Sequence, residues 1–401
     1  MMRYEWKKIF ERRLNVAAML LGYLLIGICV YNYITQESCY DAATDSYIEG
    51  VAAYRMQEEL AQSQTDVITE AYVTDLIRDI QSRGIDLESD DAYTEIIRPL
   101  GDMFYFVSKN YTDMRSKNTD MDALDKVDVS EGAHFYEHRM EKITDYLNMD
   151  FSYGNYTEAE KAYWIAKAGR TNVPLRWGSK RVMNQVGELL FAGFYLWFVV
   201  VICVSSVFSS EYESGAAYLL LTTKYGKDRL VRSKIGVAAL FTVGYLTGGA
   251  LLAVVPVALL LGLPGADLPI QLWNPVIPYN MTIGQTCLGM FGLLLLIGSA
   301  IALALMCCSA GLRSSLATLV IGVAFIIAPA FIPMSKKSGL WNHINYLFPV
   351  RAFNLEDVMG AYVSYAAGNV VISYTAMVVI VYAAVSAVAL LLIRRMFVKV
   401  R

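Results

Sequence analysis

Histidine and cysteine are scarce in this chain, whose 401 residues include three histidines and six cysteines. Five of the cysteines lie in or beside long apolar runs, which leaves Cys39 alone outside them, so no internal disulfide framework is expected. The histidines belong to no recognisable serine–histidine–aspartate order. A phosphate-binding loop is also missing, because Gly226 and Lys227 are followed by Asp228 and lack the upstream glycine of that motif. The chain therefore has no recognisable means of hydrolysing ATP.

Charged residues make up only 18% of the chain, whereas hydrophobic residues make up 56%. Six runs approach or exceed the ~20 apolar residues that are needed to cross a ~30 Å hydrocarbon core. They cover residues 14–34, 186–208, 235–261, 283–310, 316–334 and 370–393. We expect the first run to be retained as an anchor rather than cleaved as a signal peptide. The sequence thus predicts an all-α polytopic membrane protein with six transmembrane helices. The scarcity of charge within them argues against an ion-coupled carrier built on relay carboxylates.

Apart from residues 35–184, most of the lysines and arginines lie in four segments outside these runs: 1–13, 224–234, the loop that contains Arg313, and 394–401. With six spans, all four segments fall on the same side of the membrane, and basic loops of this kind stay in the cytoplasm. Residues 35–184 hold 28 Asp and Glu against 16 Lys and Arg, a net charge of −12, and fall on the opposite side. We therefore expect cytoplasmic termini and a large acidic extracellular domain at 35–184, which would repel nucleic acid.

The first 13 residues alternate bulky apolar side chains with basic ones, and Tyr4, Trp6 and Phe10 are among the apolar members. This pattern predicts a cytoplasmic helix at 1–13 that lies in the membrane interface. A plain basic flank without a bound helix is the alternative.

The extracellular domain at 35–184 is predicted to be all-α, because its apolar residues recur at helical spacing. Tyr40, Tyr47 and Tyr54 repeat every seven residues in a stretch, 40–83, that contains no proline. We expect this tyrosine stripe to be packed in the domain, and a ligand-contacting face is the alternative.

Further helices are expected in the same domain near 91–111, with a bend at Pro99, and near 132–147. Thr157 followed by Glu160 predicts a capping box that opens a helix through residue 168.

The pattern H-x-x-E-H, formed by His134, Glu137 and His138, is the inverted zinc-protease signature and places two histidines on one helical face. A zinc site also needs a third protein ligand. The candidates nearby in the sequence are Glu141, Glu158 and Glu160. So short a pattern arises easily in a helix rich in polar residues, and a solvent-exposed helix is the interpretation that we favour.

Two charged residues are candidates for a transport path. Glu188 lies near the outer end of the second apolar run, where a carboxylate is either functional or in contact with interfacial water. Arg351 belongs to the aromatic segment WNHINYLFPVRAF at 341–353, which suits short helices that dip into the outer leaflet or line an exit.

The segment FSSEYESGAAYLLLTTKYGKDRLVRSKI at 208–235 connects the second and third apolar runs. Its first half predicts a short amphipathic helix ending near Gly226. Glu211 and Glu213 near the start of this helix complement the positive end of its dipole. The residues that form an apolar face suited to a partner are Tyr212, Ala216, Leu219 and Leu220. A helix lying against lipid is the alternative.

This segment resembles the loop between the second and third spans of type-2 ABC exporter permeases. The pattern of that family, F-S-x-E-[FY]-E-x-G-[TA]-x-x-L-L-L-[ST]-T-P with a lysine opening the third span, is matched without a gap. The matching residues are Phe208, Ser209, Glu211, Tyr212, Glu213, Gly215, Ala216, Leu219, Leu220, Leu221, Thr222, Thr223 and Lys234. Lys224 replaces the usual proline. The order of one span, a large external insertion and five further spans agrees with the family over the whole chain.

The resemblance implies a half-transporter in a bacterial cytoplasmic membrane, similar in layout to sodium-efflux, drug-efflux and antimicrobial-peptide immunity exporters. A five-helix membrane domain at 185–401 would carry a coupling helix at 209–226, seated in a cleft of a separate soluble ATPase subunit. The residues implied in this coupling are Glu211, Tyr212, Glu213, Gly215, Ala216, Leu219, Leu220 and Lys234. A second permease chain, identical or different, would complete the transporter within the lipid membrane. The chain would supply no catalytic residue and no cofactor, since ATP and Mg²⁺ would bind the ATPase subunit.

Two other functions remain open from the sequence. One is a membrane-anchored zinc peptidase that uses His134, Glu137 and His138. The other is a scaffold that senses an external peptide or confers immunity without transporting anything.

Overall fold

A computed structural model describes residues 1–41, 44–114, 116, 118–223, 225–354 and 362–398. Lys224, which replaces the family's proline, and residues 399–401 of the basic tail lie outside the described residues.

The chain begins with two helices, α1 (Met2–Phe10) and α2 (Arg13–Gln36). α1 buries Glu5 and Ile9 against the rest of the protein, whereas Tyr4 is 73% exposed. The N-terminal segment is therefore helical, and its place in a membrane interface stays a prediction.

Residues 38–176 form a mostly helical unit that includes two small antiparallel sheets. Strands β1 (Ser38–Asp41) and β2 (Ser46–Glu49) form a hairpin, and β3 (Val67–Ile68) pairs with β4 (Leu175–Arg176) near the end of the unit. The helices of the unit are α3 (Val51–Gln64), α4 (Glu70–Ser82), α5 (Asp90–Ala92), α6 (Arg98–Leu100), α7 (Asp102–Tyr111), α8 (Ala123–Lys126), α9 (Phe135–Asn148) and α10 (Glu158–Ala168). A π-helix (Tyr93–Ile97) precedes α6, and a 3₁₀ helix (Val129–His134) precedes α9.

The tyrosine stripe does not form one helical face. Tyr40 and Tyr47 are partners across the β1–β2 hairpin with ring centroids 5.5 Å apart, so the all-α prediction is wrong there. Tyr54 does lie in a helix, α3, where it is 4% exposed and donates a hydrogen bond to the Tyr33 carbonyl. Tyrosine is favourable in strands, and a seven-residue spacing does not separate a helix from a hairpin that is followed by one. The all-α prediction therefore holds for most of the unit and fails for its strands.

The predicted capping box at the start of α10 is confirmed. The Glu160 backbone N–H donates to Thr157 Oγ1 at 3.3 Å, and the Thr157 backbone N–H donates to Glu160 Oε2 at 2.9 Å. The bend expected at Pro99 occurs instead at Gly101, whose φ of +54° separates α6 from α7. Proline is tolerated in the first turn of a helix, whereas a positive φ interrupts the helix and favours glycine.

The second half of the chain is dominated by long apolar helices. The helices are α11 (Arg181–Ala192), α12 (Tyr195–Val204), α13 (Ser209–Glu213), α14 (Ala216–Thr222), α15 (Arg229–Leu261), α16 (Ile283–Leu312), α17 (Ser315–Phe331), α18 (Gly339–Tyr346), α19 (Pro349–Phe353) and α20 (Tyr374–Val398). A 3₁₀ helix (Ile270–Leu272) precedes α16, and strands β5 (Ser364–Ala367) and β6 (Val370–Ser373) form a hairpin directly before α20.

Five helical segments among the described residues are long and apolar enough to cross a membrane. They are Arg13–Gln36, Arg181–Glu213, Arg229–Leu261, Ile283–Leu312 and Tyr374–Val398. The predicted fifth span corresponds to the shorter apolar helix α17, whose 17 residues extend about 26 Å at 1.5 Å per residue. The predicted start of the last span at residue 370 is wrong, because Val370–Ser373 form a strand and the helix begins at Tyr374. The molecule is thus a mostly helical protein of membrane-protein character, and the six-span arrangement stays a prediction.

The long helices pack around α16, which contacts α12, α15, α17 and α20. α2 packs on α12 and α15, where the Tyr23 and Tyr245 rings stack at 4.6 Å and the Tyr23 hydroxyl donates to the Tyr245 carbonyl. Gly248 lies directly beneath the Tyr23 hydroxyl, so this close approach depends on the missing side chain. The position of Gly244, by contrast, faces open space.

Several basic segments of the sequence meet at one end of this bundle, which we call the basic end. α1 reaches the start of α15, where Lys234 contacts Glu5. The start of α15 also contacts α20 through an ion pair of 2.7 Å between Asp228 and Arg394. The described parts of the segments that cluster at this end, 1–13, 206–223, 225–235, 311–315 and 394–398, carry 12 basic and five acidic residues.

The unit at 38–176 packs against the opposite end of the bundle. Arg139, which is 2% exposed, donates from Nε to the Pro275 carbonyl at 2.5 Å and from Nη2 to the Ile277 carbonyl at 3.1 Å. Trp164 is fully buried and donates from Nε1 to Ser364 Oγ at 3.2 Å. The loop between α15 and α16 and the β5–β6 hairpin are therefore part of the same packed structure as this acidic unit.

Candidate functional site

The segment that resembles the ABC permease loop forms two short helices, α13 and α14, at the basic end. Gly215 separates them in the left-handed conformation, with φ of +73°. The single helix predicted for 209–226 is therefore wrong: it is interrupted at Gly215, and α14 ends at Thr222. The physical reason is that glycine adopts this conformation without the steric cost that a Cβ atom imposes.

A cluster of four charges, three of them buried, holds α13 in place. Lys234 Nζ lies 2.7 Å from Glu211 Oε1 and 2.9 Å from Glu5 Oε2, and it also donates to the Val207 carbonyl at 2.8 Å. Lys8 Nζ lies 2.6 Å from Glu211 Oε1 and 3.2 Å from Glu5 Oε1. Glu211 and Lys234 are 5% and 1% exposed, so these two predicted coupling residues position the segment and do not form its surface.

The charges of this cluster also affect Lys8, the half-exposed member. Burial lowers the pKa of Lys8, but its hydrogen bonds to Glu211 and Glu5 and their negative charges raise it by more, so the pKa lies above the ordinary value. Lys8 therefore stays charged at neutral pH. Two lysines and two carboxylates thus join α1, α13 and α15 in one balanced network.

Glu213 connects α13 to the start of α17. Its carboxylate accepts hydrogen bonds from the Ser315 backbone N–H at 2.6 Å and from the Ser315 hydroxyl at 2.8 Å. The Glu213 carboxylate thus provides a hydrogen-bond acceptor for a backbone N–H in the first turn of α17, where such groups lack intrahelical partners. Glu213 is therefore a positioning residue, with a partner that the sequence did not identify.

A second polar junction, which the sequence analysis missed, joins α12 and α13 to α16. Ser309 Oγ donates to the Ser205 carbonyl at 2.8 Å and accepts from the Ser209 backbone N–H at 2.9 Å. Serines inside apolar helices commonly bond across helix interfaces. Ser309, one of two serines in the fourth apolar run, was the available signal for this contact.

Tyr212 faces the protein and does not form part of an exposed docking surface. Its hydroxyl donates to the Phe397 carbonyl at 2.5 Å, and its ring lies 5.6 Å from the Phe397 ring. Arg313 stacks over the same tyrosine at 4.7 Å. Tyr212 therefore attaches α13 to the end of α20, which corrects its predicted place on the apolar docking face.

The exposed apolar surface at this end is the tip of α14. Leu219 is 75% exposed and Tyr218, which the sequence analysis did not select, is 57% exposed. Ala216 and Leu220 are partly buried, while the opposite side of α14 is anchored by the buried Leu221. The exposed basic side chains that follow α14 along the chain are Lys227, Arg229 and Arg232. α14 thus has an exposed apolar tip and is attached to α13, which contacts five other helices: α1, α15, α16, α17 and α20.

The two candidates for a transport path lie in different surroundings. Glu188 is on the exposed side of α11. The Nη2 atom of Arg351 donates to the Ile332 carbonyl at 2.9 Å, so its guanidinium attaches α19 to the end of α17. The structure thus assigns Arg351 a packing contact.

The H-x-x-E-H residues lie on the surface of the acidic unit. His134 Nδ1 is 2.9 Å from Glu137 Oε2, and both side chains are at least 60% exposed. The His138 ring instead stacks on Tyr111 with centroids 5.0 Å apart. Among the described residues, no group of three or more His, Cys, Asp or Glu side chains is placed to hold a metal ion. Glu160, one of the proposed third ligands, is occupied in the capping box of α10.

Comparison with known proteins supplies no relative for this arrangement. No protein-family model matches the chain, and neither a curated protein nor a solved structure is significantly similar to it.

Proposed function

We propose that the chain is the membrane-spanning permease subunit of a bacterial exporter of the type-2 ABC class. In this proposal α13 and α14 form the coupling element, through which a separate ATPase subunit drives the membrane helices. The observation that carries the proposal is the exposed apolar tip of α14 on a firmly attached base. The contiguous family pattern at 208–223 supports it independently.

The attachment of α13 is suited to transmitting a movement. Glu211 binds lysines from α1 and α15, Glu213 binds the start of α17, and Tyr212 binds the end of α20. A displacement of α14 by a partner would therefore act on four helices at once. Packed helices respond to such displacements by shifting as units, because close-packed interiors do not deform continuously.

The tip of α14 is suited to docking a protein. Exposed apolar side chains that are rimmed by polar residues mark interaction sites. Tyr218 and Leu219 are exposed, and in this proposal the exposed basic residues that follow α14 along the chain, Lys227, Arg229 and Arg232, form a rim beside them. We propose that a cleft on the ATPase subunit receives these two side chains and that acidic groups beside the cleft meet the rim.

The remaining features of the transporter follow from this proposal. The basic end faces the cytoplasm with both termini, the unit at 38–176 lies outside the cell, and α17 completes a set of six spans. A second permease chain forms the other half of the transporter. ATP and Mg²⁺ bind the ATPase subunit, while this chain binds and moves the substrate without a catalytic residue of its own.

Co-purification tests the docking surface directly. The tagged full-length chain is extracted gently from native membranes, and the co-purifying proteins are identified by mass spectrometry. We expect a soluble protein with a phosphate-binding loop, and we expect Leu219→Asp to remove it, because a buried unpaired charge costs several kcal/mol. Leu340→Asp is the matched control, since Leu340 on α18 is also 75% exposed but lies at the opposite end of the bundle.

Two outcomes contradict the proposal. One is full recovery of the ATPase with the Leu219→Asp chain, which removes the docking role of α14. The other is the absence of any such ATPase under conditions that keep an established ABC complex together, which removes the exporter assignment itself.

A further inference from the structure

The acidic unit contains a pocket of about 330 Å³ at the point where the chain leaves its first apolar helix. Its lining comes from the β1–β2 hairpin, from α3, from the π-helix and α6, and from residues directly before α11. Pockets of about 300–1,000 Å³ are typical of small-molecule sites. The pocket therefore has the size of a ligand site and touches both the acidic unit and the first residue of α11, Arg181.

Aromatic rings form much of the pocket wall. Tyr40, Tyr47, Tyr93, Tyr105 and Trp177 all line it. Tyr47, Tyr93 and Tyr105 are between 40% and 60% exposed, so their rings are open to a ligand. Such rings offer a large apolar area and a polar hydroxyl at low cost in conformational entropy.

One guanidinium lies on these rings. The Arg98 Cζ atom is 3.8 Å from the centroid of the Tyr40 ring and 5.0 Å from that of Tyr93. Stacking holds the planar group against the two rings, and its Nε atom is buried without a hydrogen-bond partner in the structure. A guanidinium held in this way is suited to binding a carboxylate or phosphate through two parallel hydrogen bonds.

The other charges around the pocket already have partners. Arg181 lies 3.0 Å from Asp102 and 3.9 Å from Glu37, and the Tyr40 hydroxyl donates to Asp45 at 2.5 Å. Within the part of the chain that the structure describes, Arg98 forms no ion pair with a carboxylate. The charge that a ligand finds unneutralised at this pocket is therefore a cation.

The backbone at Arg98 is also unusual. Tyr93–Ile97 form a single π-helical turn, and Arg98 follows it directly. Gly101, another lining residue, has φ of +54° and interrupts the helix after α6. Isolated π-helical turns occur frequently at functional sites, because the inserted residue redirects side chains. This turn places Tyr93 and Arg98 together on the pocket wall.

We propose that this pocket binds an acidic small molecule with an aromatic or apolar body, whose acid group pairs with Arg98 and whose body packs against the tyrosines. The net negative charge of the surrounding unit does not oppose this at short range, because charges beyond about 8 Å are screened at physiological salt. This proposal does not depend on the proposed exporter function and applies whatever role the chain has in the membrane.

Cys39 provides a direct readout, because it lines the pocket and is a half-buried free thiol. The full-length chain in phosphatidylcholine nanodiscs is titrated with dansylglycine, an anionic probe, and with dansylcadaverine, its cationic counterpart. Binding is measured by dansyl fluorescence and by protection of Cys39 from a membrane-impermeant maleimide, with Cys39→Ser identifying that label. We expect saturable binding and protection with dansylglycine and not with dansylcadaverine.

Substitution of Arg98 completes the test. Arg98→Gln is expected to weaken dansylglycine binding by about tenfold or more, the usual loss for a charge-assisted hydrogen bond. Arg98→Lys keeps the positive charge but lacks the planar guanidinium. Its affinity for dansylglycine is expected to lie between those of the wild type and Arg98→Gln. Arg78→Gln is the matched control, since Arg78 forms an exposed ion pair with Asp75 on α4 outside the pocket and is expected to leave binding unchanged.

The proposal is overturned by equal binding of the two probes, by unchanged binding in Arg98→Gln, or by dansylglycine binding that leaves Cys39 unprotected. Unaltered thermal unfolding of Arg98→Gln separates lost binding from lost folding. If Arg98→Gln unfolds, the test rests on Arg98→Lys. Wild-type affinity of the Arg98→Lys chain for dansylglycine would also overturn the proposal.

Discussion

Replacing Lys234 by methionine tests whether the charge cluster of Glu5, Glu211, Lys8 and Lys234 holds α13 in place. Lys234 is 1% exposed, and it contacts Glu5 and Glu211, which are 7% and 5% exposed. Methionine keeps the length and the apolar contacts of the side chain but removes its charge. The variant therefore leaves two buried carboxylates to share one lysine, Lys8.

The size of the effect follows from these contacts. Removing one partner of a buried ion pair costs about 3–5 kcal/mol. Lys8 still lies 2.6 Å and 3.2 Å from the two carboxylates, so we expect the lower end, about 3 kcal/mol. Unfolding entropy of about 2.1 cal/mol/K per residue amounts to about 0.8 kcal/mol/K for 401 residues. The midpoint of thermal unfolding in detergent should then fall by about 4 °C.

Two further variants separate charge from packing. Lys8→Met removes the half-exposed lysine of the same cluster. We expect the free energy of unfolding to fall by less than about 1 kcal/mol, and the unfolding midpoint therefore to fall by about 1 °C at most. Adding Glu5→Gln and Glu211→Gln to Lys234→Met removes the uncompensated charges, and at least half of the lost stability should return. An unchanged midpoint for Lys234→Met would refute the reasoning. Equal losses for the two lysines, or no recovery in the triple variant, would also refute it.

Two other predictions concern the acidic unit and the helix bundle. Burial lowers the pKa of Lys142 to about 8, so its amine should become neutral and acylate with a midpoint near pH 8. Desolvation lowers the pKa of Lys126, but the neighbouring aspartates raise it by more. Mass spectrometry of the acylated protein should therefore show Lys126 reacting only at higher pH than Lys142. Equal midpoint pH values for acylation of the two lysines would contradict this. Gly248→Ala should lower the unfolding midpoint because its methyl group collides with Tyr23, whereas Gly244→Ala should not; equal effects would exclude the close contact.

The helical character of the chain could be predicted because it depends on local patterns. A run of apolar residues that is long enough to cross a membrane can be recognised from its own sequence, without knowing which segments pack against it. The capping box at Thr157 and Glu160 is equally local, since both partners lie within four residues. The hairpin at Tyr40 and Tyr47 escaped the same reasoning, because tyrosine spacing is compatible with more than one backbone.

Helical structure in the segment at 209–222 could also be predicted, but the contacts of its residues could not. Glu211, Tyr212 and Glu213 have the residue types of an amphipathic surface helix, and the sequence does not reveal that they bind Lys234, Phe397 and Ser315. These partners lie between 23 and 185 residues away along the chain. Such contacts depend on how whole helices pack.

Composition and local pattern by themselves determined that this is a mostly helical protein of membrane-protein character, with an acidic unit inserted after its first apolar helix. Those properties follow from burial of apolar surface and from short-range capping, which act over a few residues. Tertiary structure alone decided which charges are buried in the four-residue cluster, which side of α14 is exposed, and that Arg98 is stacked at a tyrosine-lined pocket. The physical reason is that ion pairing, burial and stacking depend on distances between segments that are remote in sequence, and packing sets those distances.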